Sequence, residues 1–115
     1  MGDTMFDRYW KRINQLIQET HNKIEEIVRE IVEKIKEEYS DKLNEVASEL
    51  NFNYTLDVET HNKNPLMVYP VMYVDREELI EEIEERLAKI LSETGLRVKP
   101  QPILIPYHKV KNNKD

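Results

Sequence analysis

At 115 residues, with 39% apolar and 35% charged side chains and a net charge of −6, the chain has the length of one domain and an acidic balance that disfavours broad attraction to phosphate backbones. It contains no cysteine, which excludes thiol nucleophiles, thiolate metal sites and disulfides together. With Gly2 and Gly95 alone, neither a Walker loop nor a dinucleotide fingerprint can be written, and no GXXG nucleic-acid loop is present.

The first fifty residues contain no proline, and no glycine after Gly2, so nothing in them forces a helix to break. Thr4, with Asp7 three residues on, marks a helix start. From Phe6, Tyr9, Trp10, Ile13, Leu16 and Ile17 the apolar residues continue at steps of three and four through Ile24, Ile27, Val28, Ile31, Val32 and Ile35 to Leu43, Val46 and Leu50. This predicts a helical region over 4–50. Glu25/Arg29, Glu30/Lys34 and Glu38/Lys42 stand four apart in the favourable order. Ser40 with Asp41 could cap a new helix, so the long helix either folds back there or continues and packs against another subunit.

Strict alternation of Phe52, Tyr54, Leu56 and Val58 with Asn53, Thr55, Asp57 and Glu59 predicts a strand with one wet face. A turn at 61–65 and a second strand, Leu66 to Val74, complete a β-hairpin over 51–74, with Pro70 pointing to a bulge or an edge. Asp75 with Glu78 resembles a capping box, and Leu79, Ile80, Ile83, Leu87, Ile90 and Leu91 then recur at helical spacing, predicting a helix over 75–95 that ends at Gly95. Leu96, Val98 and Ile103 to Ile105 suggest an edge strand over 96–106, restricted by Pro100, Pro102 and Pro106.

The fold class is therefore α+β in the order αββαβ: a long N-terminal helix, a hairpin, a helix and an edge strand, with a small sheet covered by helices. By architectural analogy this is a ferredoxin-like unit without its first strand, and the analogy carries no function. Residues 1–108 read as a single domain and 109–115 as a flexible basic tail.

The three histidines, His21, His61 and His108, lack the i, i+4 spacing of a helical metal pair. The pentapeptide Glu-Thr-His-Asn-Lys occurs at 19–23 and again at 59–63, so Glu19, His21, Glu59 and His61 form the one metal set the sequence suggests. Polar turn and surface positions account for both copies better, and no metal or other cofactor is expected. Ser40, Ser48 and Ser92 have no elbow glycines, and 23 acidic residues make any carboxylate pair uninformative, so no catalytic residue is assigned and no enzyme is expected.

Two surface functions remain. Phe6, Tyr9, Trp10, Ile13 and Ile17 form a candidate protein interface, since Trp and Tyr are enriched at binding hot spots. This predicts a non-enzymatic assembly or interaction protein that homodimerises through its N-terminal helix. The alternative is a nucleic-acid-binding accessory protein using Arg8, Lys11 and Arg12 with Lys109 and Lys111 of the tail, a role that the net acidity disfavours.

The stretch Ile24-Glu25-Glu26-Ile27-Val28-Arg29-Glu30-Ile31-Val32-Glu33-Lys34-Ile35 resembles the Glu-, Lys- and Ile-rich helices of small uncharacterised proteins of hyperthermophilic archaea and their viruses. The resemblance covers one helix and implies heat tolerance, with no functional residue to carry over. The absence of a signal-like start or of an apolar run of about 18 residues predicts no membrane partner and a cytoplasmic location, in the host cytoplasm if the chain is viral.

Overall fold

The computed structural model describes residues 4–103. Its elements are α1 (Asp7–Leu50), β1 (Tyr54–His61), β2 (Asn64–Val74), a single 3₁₀ turn (Glu77–Leu79), α2 (Ile80–Ile90) and β3 (Lys99–Pro102). The strands form one sheet in the order β1-β2-β3. The fold is α+β, and its element order follows the expected αββαβ. Leu104 to Pro106 of the expected last strand, and the basic tail, lie outside the described residues.

Helix α1 is preceded by a turn in which the Asp7 carboxylate accepts the Thr4 amide at 2.8 Å, and the Phe6 carbonyl accepts the amides of Tyr9 and Trp10. The Thr4 amide, and after it the Thr4 hydroxyl, hold Asp7 below the usual carboxylate range. The helix continues through Ser40 without interruption for 44 residues, about 66 Å at 1.5 Å per residue. A local cap at Ser40 loses to the buried side chains that follow it, Leu43 and Val46, which keep the chain helical. Its C-terminus is closed by Asn51 in the left-handed region, φ 59°, which lets the Phe52 amide reach back to the Ala47 carbonyl at 3.0 Å. This is the six-to-one bond of a Schellman cap, and the buried Phe52 supplies its apolar contact.

The chain divides into two compact units. The first holds the helix up to Ser40 together with Leu56–Val71. Its buried apolar residues are Val28, Val32 and Ile35 of α1 with Leu56 of β1 and Val71 of β2. Two polar contacts fix the helix to the hairpin here: His21 Nδ1 donates to the Pro65 carbonyl at 2.6 Å, and Arg29 lies 3.7 Å from Asp57. Of the three expected i, i+4 pairs, Glu25/Arg29 closes, at 3.4 Å.

The second unit holds Asp41–Thr55 and the chain from Met72 onward. Leu43, Val46, Phe52, Met72, Val74, Ile83, Leu87, Leu91 and Val98 are buried within it. Asp75 does not cap α2 as the spacing with Glu78 predicts. Its carboxylate accepts the Asn53 backbone amide at 2.8 Å and side-chain amide at 2.9 Å, which hold it below its usual range, while Glu78 pairs with Arg76. At the other end of α2, Ser92 Oγ donates to the Lys89 carbonyl and Thr94 Oγ1 to the Leu91 carbonyl, satisfying acceptors that the last turn leaves open. Gly95 takes the left-handed φ of 77° further along this turn rather than at the helix end.

Strand β3 falls on the sequence Lys-Pro-Gln-Pro. The Ile103 amide donates to the Val74 carbonyl at 3.1 Å, so by alternation the nitrogens of Pro100 and Pro102 point away from β2. Proline is tolerated at an edge whose missing donors face outward, and β3 is such an edge.

Candidate functional site

Residues 6–16 present the least covered apolar surface on α1 and its lead-in. Phe6, Tyr9, Trp10, Ile13 and Leu16 are each between 45% and 62% exposed, and Met5 just before them is more exposed still. The rings of Phe6 and Tyr9 stand 6.3 Å apart, tilted at 42°, so the aromatics form a cluster and are not scattered singly. All belong to the first unit.

Four of the five interface residues expected from the sequence, Phe6, Tyr9, Trp10 and Ile13, stand on this exposed surface. Ile17 is half-buried, and Leu16 beside it carries the exposure instead. Ile27, which the sequence places in the helical apolar series without singling it out, is a further member: it is 58% exposed, although its neighbour Val28 is buried. Leu66 and Met67 add exposed apolar surface on the hairpin of the same unit.

The exposed surface follows from helical geometry. At about 100° per residue, Tyr9, Ile13, Leu16, Thr20 and Ile27 fall within a stripe about 60° wide. Val28, Val32 and Ile35 lie about 100° around the helix from it. The hairpin takes the second stripe at Val28, Val32 and Ile35 and leaves the first to solvent, whereas Trp10, which lies on the second stripe one residue round from Tyr9, is exposed as well. No periodic signal separates the two, because both are apolar and adjacent in sequence.

Arg8, Lys11 and Arg12 are exposed on the same turns as the aromatics. Lys109 and Lys111 lie outside the described residues, so the basic set expected from the sequence is placed only in its N-terminal half.

The repeated pentapeptide is accounted for by hydrogen bonding. His21 uses Nδ1–H on the Pro65 carbonyl, whereas His61 accepts the Lys63 amide at Nδ1, 3.1 Å away, so the two rings are held in opposite tautomers. Glu19 accepts from the Gln15 side chain, and Glu59 accepts the Tyr69 hydroxyl at 2.8 Å. Among the described residues no three His, Asp or Glu side chains converge as a metal set, and no helix is long and apolar enough to cross a membrane.

The polar pairs of the second unit do structural work. The Tyr54 hydroxyl donates to Asn44 at 2.6 Å, Arg76 donates to the Asn51 carbonyl at 3.0 Å, and Arg86 pairs with Glu49. The first joins β1 to α1, and the other two join Asp41–Thr55 to the chain beyond Met72. No protein family, curated protein or solved structure matches the chain.

Proposed function

We propose that the chain is a non-enzymatic assembly protein that pairs with a second copy of itself through the N-terminal part of α1. The observation that carries this is the exposed run Phe6, Tyr9, Trp10, Ile13 and Leu16. Contiguous apolar patches larger than a few hundred Å² are uncommon on monomers and mark sites of association.

The area suffices. An aromatic side chain buries about 150–250 Å². With Phe6, Tyr9 and Trp10 at 61%, 54% and 59% exposure, three rings offer roughly 260–430 Å² per copy. Two copies double this, and Met5, Ile13 and Leu16 add to it, bringing the total toward the roughly 1,200 Å² of a small specific interface. The net charge of −6 weighs against a phosphate backbone as the occupant of this surface.

Size-exclusion chromatography with light scattering tests the proposal on the intact chain and on a Trp10→Ala, Leu16→Ala double variant. The intact chain is expected at the mass of a dimer, and the variant at the mass of a monomer with an unchanged circular dichroism spectrum. A monomeric intact chain at about 100 μM overturns it.

A further inference from the structure

We propose that the two copies pair antiparallel, with residues 6–16 of one lying against residues 20–30 of the other about a twofold axis near Gln18. This rests on the dimer proposed above and adds its geometry. Three observations support it.

The exposed stripe is longer than the N-terminal cluster. It includes Ile27, which lies beyond His21, the residue that meets the hairpin at Pro65. The uncovered surface thus continues alongside the hairpin, on the side of the helix that Val28, Val32 and Ile35 do not use. A pairing confined to residues 6–16 would leave Ile27 in water.

The charges along the stripe change sign. Residues 7–16 hold Arg8, Lys11 and Arg12 against the single acid Asp7, whereas residues 17–30 hold Glu19, Glu25, Glu26 and Glu30 against Lys23 and Arg29. A parallel, in-register pair brings each basic segment against its own copy and each acidic segment against its own copy, which is repulsive at both ends. An antiparallel pair about residue 18 lays basic on acidic at both ends.

The register also matches side chain to side chain. With positions i and 36 − i opposed, Tyr9 meets Ile27 of the second copy, Leu16 meets Thr20, and Ile13 meets the aliphatic stem of Lys23. Arg12 and Glu26 border the stripe on one side, fourteen residues apart, and the register brings Arg12 within reach of Glu26 of the second copy. Both are exposed, and neither has an ion-pair partner among the described residues. The twofold axis makes every such contact occur twice.

The cysteine-free chain allows a direct test. Lys34 is exposed and lies outside the pairing segment, so a nitroxide attached to a Lys34→Cys variant reports helix direction by double electron–electron resonance. The antiparallel register puts the two labels about 48 Å apart along the helix axis, thirty-two residues at 1.5 Å. A parallel pair puts them at the same level, separated by the interaxial distance of about 8–10 Å plus the reach of two labels. A distance near 50 Å is the expected result. A distance under about 30 Å overturns the antiparallel geometry and leaves the dimer standing, whereas an absence of dipolar modulation overturns the dimer as well.

Charge exchange gives a second reading. Arg12→Glu and Glu26→Arg are each expected to weaken self-association by about tenfold, and an equimolar mixture of the two variants to restore it, because the mixed dimer regains both opposite-charge contacts. A mixture no tighter than either variant alone overturns the Arg12 to Glu26 contact.

Discussion

Leu16→Ala separates assembly from folding, because Leu16 is 62% exposed within its own chain. Burying a whole leucine is worth about 1.5–3 kcal/mol, so covering that fraction is worth roughly 0.9–1.9 kcal/mol per copy. A symmetric pair loses the contribution twice, roughly 2–4 kcal/mol, which weakens dimerisation about 30- to 700-fold. The folded state of a single chain loses almost nothing, since substitutions at exposed positions stay within about 0.5 kcal/mol. Sedimentation equilibrium over a dilution series gives the Kd, and far-ultraviolet circular dichroism at the lowest concentration monitors the fold. Leu43→Ala is the contrasting control: Leu43 is 2% exposed, and its truncation is expected to cost about 2–5 kcal/mol of folding stability. A Leu16→Ala Kd within threefold of the parent, with the fold intact, refutes the assignment of this stripe to pairing.

Two further predictions concern the second unit. Asn51 sits at φ 59°, where a β-branched residue is strained, so Asn51→Val is expected to lower the urea midpoint by the equivalent of about 1–2 kcal/mol, whereas Asn51→Gly holds or raises it. The Asn53 amide, followed by the Asn53 side chain, keeps Asp75 below its usual range, so this carboxylate contributes stability above the unfolded value of 3.8 that is lost as pH falls through the lower folded value. A thermal midpoint measured from pH 6 to pH 2 should therefore fall less steeply in Asp75→Asn than in the parent, and equal slopes would remove Asp75 from the acid sensitivity.

The elements that the sequence made legible are those in which one face decides. Phe52 and Leu56 are buried, and Asn53 and Thr55 between them are exposed, as their alternation predicts. The buried Ile83 and Leu87 on α2 follow their helical spacing in the same way. Asp75 was not legible, because its partner Asn53 lies 22 residues away and the nearby Glu78 offers a more familiar local pattern. Ser40 misleads for another reason: its own tendency to start a new helix is real, but Leu43 and Val46, three and six residues on, are buried, and that burial comes from tertiary packing, which local spacing does not record. The candidate interface was legible as chemistry and only partly as position. Periodicity finds an apolar arc wide enough for two neighbours, and the hairpin decides which of Leu16 and Ile17, or of Ile27 and Val28, is left facing water.

The two prolines of β3 have a consequence for crowded conditions. A strand arriving from another molecule joins a sheet by exchanging amide protons for carbonyl lone pairs, and on the side of β3 that no strand of the described residues covers, the nitrogens of Pro100 and Pro102 carry no protons to exchange. That margin offers an incoming strand acceptors without amide donors at two successive outward positions, which blunts β3 as a seed for stacking while the helix displays its apolar surface.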